Sequence, residues 1–483
     1  MRIWHRGIWH PGIWFAVVAA LAGQPTFARQ AADGETILLR NVAVLHLDEP
    51  GGRIESGRSI LVADGRIVRI AASPLVTPQG TRVIEGTGRL VMAGLADMHV
   101  HVWDEASLGA YLAAGVTTVR NASGMPYHLR LARRIERGEI PGPRLITTGP
   151  ILNSPGPNAQ INHHMVATAE EARAAVRAHH AAGFRRIKVY SNLTRDAYEA
   201  VLGEAARLGM TIMGHTPEGE RQAGMPHDKP FAIAFEEVLD DGFVTIEHVE
   251  SIVWHGLRDR HDEAAGRELA KRIAAAGVPV DPTLLAFHNL LQVAETGGTY
   301  LMRPGTDRLN PLLVASSGAE YERWSNEDPG PHRAAFDFYK RMTKMLHEEG
   351  VLLVAGSDAG IFTNIPGISL HDELRLLVEA GIAPADALRM ATINAAITLG
   401  EGGEWGAVSE GQRADLLLLD GDPRADLAVL ASPEAVIAGG LLFERDALAR
   451  FQRAAGEHDL ARTQANLVEA FERQGIDPAS LGL

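Results

Sequence analysis

An alternation of short apolar runs with helix-like stretches limits the folds open to this chain more than any other feature. Stretches rich in Ala, Arg and Glu separate most of the runs, and the clearest are Ala169–Ala182, Thr194–Leu208 and Glu263–Ala276. Several stretches end at a glycine just before the next run, as loops from a helix into a strand commonly do. The eight runs are Leu95–Val102, Val116–Asn121, Arg144–Leu152, Ile187–Tyr190, Thr211–His215, Val244–Val249, Pro279–Leu285 and Leu352–Ser357.

Eight strand–helix units of this length predict an α/β fold, a (β/α)8 TIM barrel over residues 94–399. A doubly wound open sheet is the alternative. The stretch 286–346 between the seventh and eighth runs is too long for a simple crossover. We expect an insertion there that acts as a lid or as a subunit contact, with a helix over Arg333–Glu349. After the eighth run, helices are expected over Leu370–Glu379 and Ala383–Leu399.

Strand-like runs also occur on both sides of the predicted barrel. Thr36–Leu47, Ser59–Ile70 and Thr81–Val91 precede it, and an Asp-Gly pair at residues 64 and 65 is a typical hairpin turn. Strand-like sequence returns between residues 406 and 442. We therefore predict one small flanking β-sandwich built from residues 29–93 and 400–443. Residues 444–483 are expected to form a helical extension.

Composition and the N-terminus exclude several classes of protein. The 483-residue chain contains no cysteine, which excludes disulfides and thiolate metal sites. The formal net charge is −14 without a long Lys/Arg block, so we expect no nucleic-acid partner. Residues 1–28 resemble a signal peptide, with Arg2 and Arg6 before an apolar core and cleavage after Ala28 or Ala32. The core is too short to span a bilayer, so we predict a periplasmic or secreted protein with no membrane partner after cleavage.

Two histidines end the first apolar run of the predicted barrel. His99 and His101 are separated by one residue, so on a strand they point to the same face. Two imidazoles that converge on one point are a typical arrangement for holding a metal ion. A strand with two chance histidines is the alternative interpretation for this pair alone.

Four more polar side chains lie in or after later runs, at the strand ends where TIM barrels place their active sites. Lys188 is in the fourth run, and His215, His248 and Asp358 end the fifth, sixth and eighth. Each has an ordinary structural explanation, such as a core histidine, an ion-paired lysine or a helix cap. Together, four imidazoles, a carboxylate and a lysine suit two divalent cations, with zinc favoured. A neutral lysine amine can add carbon dioxide, and the resulting carbamate can bridge two metals.

The motifs around these residues resemble the amidohydrolase superfamily, and within it the imidazolonepropionase-like and prolidase-like branch. The resemblance rests on the wording of the following segments: Asp97-Met98-His99-Val100-His101, Ala114-Gly115-Val116-Thr117-Thr118-Val119-Arg120, Ile187-Lys188-Val189-Tyr190, Ile246-Glu247-His248, Gly356-Ser357-Asp358-Ala359-Gly360, Leu370-His371-Asp372-Glu373-Leu374 and Ala391-Thr392-Ile393-Asn394-Ala395-Ala396. It extends from about Thr36 to Leu430, so it includes the divided β-sandwich.

The resemblance assigns a role to each candidate ligand. His99, His101 and Asp358 would hold one metal, His215 and His248 the other, and N-carboxylated Lys188 would bridge them. Two cations lower the pKa of a bridging water to roughly 7, so hydroxide would attack the scissile carbonyl at neutral pH. Asp358 would take the proton from this hydroxide and pass it to the leaving nitrogen.

The branch implies hydrolysis of an amide C–N bond in a dipeptide or an N-acyl amino acid, including aryl-amide conjugates of the ochratoxin kind. Hydrolysis of cyclic amides, lactones, esters or phosphotriesters on the same site is the alternative, and a non-catalytic binding protein is a third possibility. Tyr190, His163, His164 and His371 are candidate substrate contacts. Because large members of the superfamily are often oligomers, a homo-oligomer is also expected.

Overall fold

The computed structural model describes residues 35–160 and 162–481. The predicted signal peptide therefore lies outside the described residues. Within the described part of the chain, no helix is both long and apolar enough to cross a membrane.

Seventeen strands form three sheets in the described residues. The strands are β1 (Ile37–His46), β2 (Arg53–Ala63), β3 (Arg66–Ala72), β4 (Arg82–Glu85), β5 (Leu90–Ala93), β6 (Leu95–Val100), β7 (Val116–Asn121), β8 (Arg144–Thr147), β9 (Ile151–Asn153), β10 (His163–Met165), β11 (Arg186–Val189), β12 (Thr211–Gly214), β13 (Phe243–Glu247), β14 (Val280–Asp281), β15 (Leu416–Leu419), β16 (Ala435–Ala438) and β17 (Leu441–Glu444).

Helices follow most of the parallel strands β6–β14. The α-helices are α1 (Ala106–Ala113), α2 (Pro126–Glu136), α3 (Ala169–Ala182), α4 (Arg195–Leu208), α5 (Phe235–Val238), α6 (Val249–Ser251), α7 (Glu263–Ala276), α8 (Leu284–Glu295), α9 (Pro311–Ser316), α10 (Gly318–Ser325), α11 (Pro329–Glu348), α12 (Ile368–Glu379), α13 (Pro384–Met390), α14 (Ile393–Thr398), α15 (Arg445–Ala454) and α16 (Leu460–Arg473). A π-helical turn covers Ile252–Gly256, and short 3-10 helices cover Thr299–Met302, Thr306–Arg308, Leu427–Ala431 and Pro478–Leu481.

Strands from both ends of the chain share one eight-stranded sheet, in the order β17-β16-β15-β5-β1-β2-β3 with β4 beside β1. The join is the antiparallel pair β5–β15, in which Leu417 lies opposite Met92. Alternate side chains such as Ile37, Val44 and Leu416 form a buried apolar cluster on this sheet. The sequence predicts one strand over Thr81–Val91, but the structure divides it into β4 and β5. The predicted sandwich stays a prediction.

The remaining strands are parallel and are paired in chain order, except that β10 lies on the outer side of β9. One sheet contains β6, β7 and β8, and the other runs β10-β9-β11-β12-β13-β14. Gly149 N–H donates to Arg186 O at 2.8 Å, which places the end of one sheet beside the other. Val280 bridges Leu353 and Val100 bridges Ala359, so the segment 353–359 lies between β14 and β6. The predicted α/β fold is confirmed.

Three predicted strands differ from the observed ones. Arg144–Leu152 is two strands, because the backbone bonds to β7 up to Thr148 and to β11 from Gly149 onwards. The predicted strand Pro279–Leu285 is wrong beyond Asp281, since Glu373 accepts the backbone N–H groups of Leu284 and Leu285 and thereby caps α8. Residues 352–357 are not assigned as a strand, although they bridge β14 at Leu353 and Ala355 O accepts from Met98 N–H of β6 at 2.9 Å. The predicted helix 383–399 is divided into α13 and α14.

The insertion between β14 and residue 353 is helical, and α11 begins at Pro329, earlier than the predicted Arg333. Its side chains bind the loop that follows Asp358. Arg303 Nη1 donates to Thr363 Oγ1 at 2.9 Å, and Asn289 Nδ2 donates to Asn364 Oδ1 at 2.7 Å. The C-terminal extension forms α15 and α16, and Arg130 of α2 pairs with Glu469 of α16. The insertion therefore fixes the loop beside the candidate site.

Candidate metal centre

Strand β6 carries two imidazoles to a buried carboxylate. His99 Nε2 lies 3.4 Å and His101 Nε2 lies 3.0 Å from the same oxygen, Asp358 Oδ1. The intervening Val100 points to the apolar core, as the side-chain alternation of a strand requires. All three polar side chains are buried, and their ligand atoms lie within 4.8 Å of one another. This group could hold one metal ion.

A second group adjoins the first. Lys188 on β11 places Nζ 2.8 Å from His99 Nε2. The ring of His248, at the end of β13, lies 4.8 Å from the ring of His99 and 4.5 Å from that of His215. The structure thus brings together the six side chains that the sequence predicts as metal ligands, at the carboxyl ends of parallel strands.

Each of the four imidazoles forms a hydrogen bond to the protein through its Nδ1 atom. His99 Nδ1–H donates to Glu247 Oε2 at 2.6 Å. The other three donate to hydroxyl groups, and the pairs are His101–Ser123 at 2.7 Å, His215–Ser251 at 3.0 Å and His248–Thr283 at 2.5 Å. Outer hydrogen bonds of this kind fix the tautomer of a metal-binding histidine and leave Nε2 free for the metal.

The site also favours the protonation states that bind metals. Burial lowers the pKa of His99 and His215 well below 6.5 and that of His248 to about 4, so the rings are neutral at neutral pH. Burial lowers the pKa of Lys188 to about 8, which increases the fraction of neutral amine. For Asp358, burial acts to raise the pKa, but His99 and His101 outweigh it and hold the pKa below its usual range.

The interior around the site has a surplus of acidic groups. Five buried carboxyl groups lie against two buried cationic side chains, Arg120 and Lys188; the carboxyl groups are Asp97, Glu247, Asp281, Asp358 and Glu373. Both carboxylate oxygens of Asp281 are buried without a hydrogen-bond partner among the described residues. Arg120 Nη2 lies 3.7 Å from Asp281 Oδ2, but it also pairs with Glu247, and buried acidic groups in excess of the buried cations are unfavourable when ionised. Bound divalent cations would compensate it, so these residues fit a metal centre.

The backbone is strained where the ligands lie. His248, Thr283 and Asp358 have φ of +68°, +45° and +54°, values that side-chain-bearing residues rarely adopt. Each such residue costs on the order of 1–3 kcal/mol and typically marks a functional position. Gly360 permits the close contact with the first strand, because a Cβ there would lie 1.9 Å from His101 O.

The predicted substrate contacts divide into two pairs. The ring of Tyr190 lies 4.0 Å from that of His215, and the ring of His163 lies 4.6 Å from that of Tyr190, so both are at the site. His164 instead lies 3.1 Å from His179 of α3. His371 Nε2 contacts Ala114 O at 2.8 Å, at the opposite, N-terminal end of β7. The structure does not bring His164 and His371 to the other site residues.

His163 presents a buried N–H group towards the site. The N–H donors of Asn153 and Gln160 lie 3.2 and 3.4 Å from its Nδ1, so Nδ1 is the acceptor and Nε2 carries the proton. Nε2 is buried and has no partner among the residues that the structure describes. Burial lowers the pKa of His163 to about 3, which keeps the ring neutral. Its Nε2–H group is therefore available to a ligand.

Glu247 and Arg120 form a buried ion pair behind His99, and the sequence motifs predict no role for either residue. Glu247 Oε1 accepts from Arg120 Nη2 at 2.9 Å, while Oε2 accepts from His99. Arg120 is fully buried and also donates to Met98 O at 2.6 Å. Both are charged residues within otherwise apolar strands. Because charged residues are rarely buried unless they are paired, this pattern could have predicted the ion pair.

Comparison with known proteins agrees with this geometry. The family model described as "Amidohydrolase family" matches residues 90–442. An ochratoxinase from Aspergillus niger is 23% identical over 468 aligned residues, covering 82% of this chain and 85% of that protein. A crystal structure named as a prolidase, from Bifidobacterium longum, matches with a TM-score of 0.64 and 26% identity over 91% of this chain and 100% of that one. The structure of bottromycin amidohydrolase matches with a TM-score of 0.70 and 25% identity over 95% of each chain. The chain belongs to the amidohydrolase family and is a hydrolytic enzyme.

Proposed function

We propose that this enzyme hydrolyses an amide C–N bond in a dipeptide or an N-acyl amino acid, with two divalent cations of the zinc kind. His99, His101 and Asp358 would hold one cation and His215 and His248 the other, with N-carboxylated Lys188 as a further ligand. The convergence of four Nδ1-anchored imidazoles on Asp358 and Lys188 carries this proposal. The names of the relatives, ochratoxinase, prolidase and amidohydrolase, support an amide substrate.

We also propose that the parallel strands close into an eight-stranded barrel. The bridges Val280–Leu353 and Val100–Ala359 support closure, since they connect the seventh strand to the first through residues 353–359. In such a barrel all ligands lie at the carboxyl ends of strands, where TIM-barrel enzymes have their active sites. Ser357 N–H donates to Asp97 Oδ1 at 2.9 Å and fixes the strand that carries Asp358 against β6.

The side chains of the site account for the proton transfers. Bound divalent cations polarise the scissile carbonyl and lower the pKa of water. Asp358 acts as a general base when it takes a proton from the attacking water. It then acts as a general acid when it delivers this proton to the leaving nitrogen. The neutral His163 donates Nε2–H to the carbonyl oxygen, where negative charge develops. The half-buried rings of Tyr190 and His215 restrict the water that can reach this point.

The direct test is release of a free amino acid from a panel of dipeptides and N-acyl amino acids by zinc-loaded protein. We expect release by the wild type and at least about a 1,000-fold lower kcat for Asp358→Asn, which loses the proton carrier. Asp372→Asn, at a half-exposed position on α12, is the control and should retain activity. Metal content is measured on every variant. No release from any member, with zinc bound, would contradict the proposal, and cyclic amides, lactones and phosphotriesters would then be assayed.

Chelation gives an independent test. Removal of metal should abolish hydrolysis and lower the melting temperature, because an ion that binds only the folded state at 1,000 times its Kd stabilises it by about 4 kcal/mol. Re-addition of zinc with bicarbonate should restore both. A melting temperature unchanged by chelation would contradict a resident metal centre.

We further propose export, on the basis of the signal-like residues 1–28. Mass spectrometry of protein from the medium or the periplasm would locate the cleavage. Recovery of the full-length chain from the cytoplasm alone would contradict it.

A further inference from the structure

An arginine lies over the carboxyl ends of the central strands, apart from the six metal-ligand positions. Arg221 is in the segment that follows β12 and His215. Its guanidinium carbon lies 4.8 Å from the ring centre of Trp254, which follows β13. The side chain of Asn158, from the loop after β9, reaches it with its amide oxygen turned towards Arg221 Nη2 at 3.0 Å. Three strand-end loops therefore converge on this guanidinium.

We propose that Arg221 binds the carboxylate of the substrate, so that the enzyme acts on amides of amino acids whose α-carboxyl group is free. This inference rests on the proposed amide hydrolysis and adds a requirement to it. A neutral amide or ester in place of the carboxylate would lose the interaction.

One edge of the Arg221 guanidinium group is paired with a glutamate, and the Nη1 edge remains accessible to a ligand. Nε and Nη2 donate to the two oxygens of Glu218, both at 2.8 Å. Glu218 is itself almost fully buried and also accepts from Trp254 Nε1 at 3.2 Å. Nη1 has contacts only to the Asn158 side chain in the described residues. A planar guanidinium fixed in this way retains donors that match the geometry of a carboxylate.

The neighbouring side chains connect Arg221 to the metal centre. Asn158 also contacts Ser191 Oγ at 2.9 Å, and Ser191 follows Tyr190, whose ring lies against His215. Trp254 lies three residues after Ser251, which bonds to His215. Asn158, Ser191 and the adjacent Tyr190 therefore connect Arg221 to His215. In an amino-acid product the carboxylate carbon is two bonds from the scissile nitrogen, so the group that binds it must lie beside the metal ligands.

Two polar groups nearby could complete the subsite. Tyr190 lies against His215, with ring centres 4.0 Å apart, and its hydroxyl group is a hydrogen-bond donor. Asn192 is buried, and neither of its amide atoms has a partner in the part of the chain that the structure describes. Glu250 opposes them, since its carboxylate lies near Arg221, but it accepts from Ser251 Oγ at 3.2 Å and is held on the His215 side.

The test compares one dipeptide, leucyl-phenylalanine, with its C-terminal carboxamide. For the zinc-loaded wild type we expect kcat/KM to be about 30- to 100-fold higher for the free acid, the ratio typical of one charge-assisted hydrogen-bonded pair. Arg221→Gln should lower kcat/KM for the acid by that factor and leave the carboxamide unchanged. Arg221→Lys keeps the positive charge but loses the planar pair of donors, so it should retain part of the preference for the free acid.

The matched control is Arg195→Gln, because Arg195 also pairs through two nitrogens with one glutamate, Glu237, but on the outer helix α4. It should behave like wild type. Equal hydrolysis of acid and carboxamide by wild type would overturn the inference while leaving the proposed function intact. Equal loss of both activities in Arg221→Gln, with zinc content unchanged, would also overturn it. Failure of wild type on every dipeptide and N-acyl amino acid of the panel would instead contradict the proposed function.

Discussion

The four imidazoles of the metal centre differ in what anchors them. Three rest on neutral hydroxyl groups, whereas His99 donates to the Glu247 carboxylate, which is fully buried. A carboxylate partner raises the basicity of a histidine ligand more than a hydroxyl does. Because His99 also lies between Asp358 and Lys188, its orientation affects both groups of ligands.

We expect Glu247→Gln to weaken metal binding by about 10- to 100-fold, as loss of an outer partner typically does. It should also destabilise the fold by about 3–5 kcal/mol, since Arg120 would remain buried without its carboxylate. Chelator competition measures the first effect and denaturant unfolding the second. Glu236→Gln, an exposed position on α5, is the control. Metal affinity equal to that of wild type would contradict the assigned role of Glu247.

His163 and His164 provide a natural pair of test and control. His163→Phe should lower kcat by about 100- to 1,000-fold with little change in KM, because a donor to developing negative charge is lost. His164→Phe should keep kcat, because that ring contacts His179 away from the site. Steady-state kinetics on the zinc-loaded variants decides between them. A similar loss in both variants would indicate a structural effect of the loop.

At the scale of elements, close packing of β11 and β12 determines where His215 lies. Gly214 has φ of +138°, and a Cβ there would lie 2.2 Å from the backbone oxygen of Val189. A backbone atom in a ladder cannot move aside without separating the strands, so any larger residue must shift His215 away from His248.

Gly214→Ala is therefore expected to destabilise the fold by about 1–3 kcal/mol through overpacking and to reduce the bound zinc. The control is Gly209→Ala, which also has a positive φ, +64°, but no atom within 4 Å of the added Cβ. Urea unfolding and metal analysis compare the two. If both variants lost the same stability and kept the same zinc, steric contact with Val189 would not be the cause.

The periodicity of the sequence predicted the elements better than their side-chain directions. The i, i+2 rule placed His99 and His101 together because their side chains keep the alternation of a strand, although β6 ends at Val100 and its register against β7 shifts twice. On β10 the same rule separates His163 from His164, but the register of this three-residue strand is not visible in the sequence. His371 is on α12, and which face of a helix meets which end of a barrel depends on tertiary packing.

On the scale of the whole molecule, the C-terminal extension is tied to the loop after β6 by a buried ion pair. His458 Nδ1 donates to Asp104 Oδ2 at 2.6 Å, and Asn310 of the insertion donates to the same oxygen at 2.7 Å. Three segments that are distant in sequence therefore meet at Asp104, three residues beyond His101.

This pair predicts a pH-dependent stability. Burial acts to lower the pKa of His458, but Asp104 outweighs it and raises the pKa above 6.5. A raised folded-state pKa means that the stabilisation is complete below the unfolded value and is lost as pH rises through the folded value. We expect the melting temperature of His458→Gln to lie below wild type at about pH 6 and to approach it at about pH 9.

Thermal unfolding across this range checks the prediction, with His227→Gln, a largely exposed position, as the control. The difference for the control should not depend on pH. A constant difference between His458→Gln and wild type would mean that the His458 contribution comes from packing alone.

Alternation of strands and helices predicted the α/β class, and apolar runs at both termini predicted strands there. Neither pattern could show that Asp104, Asn310 and His458 meet, or that Arg221 pairs with Glu218, because such contacts depend on how loops of irregular backbone pack. The six candidate ligands were predictable because they lie in or directly after apolar runs, and neighbouring parallel strands bring their carboxyl ends together. Three of the four outer partners, Ser123, Ser251 and Thr283, come from loops and a helix without a periodic signal, whereas Glu247 is on β13.

The pairing of β5 with β15 has a consequence for how the chain is made. A ribosome completes β5 more than 300 residues before its partner at Leu416–Leu419 emerges. During that interval the inner strand has an unpaired edge, and exposed edges of this kind invite pairing with other chains. Any product terminated before residue 416 would keep that edge permanently. Intact synthesis of the last quarter of the protein therefore protects the first quarter from aggregation.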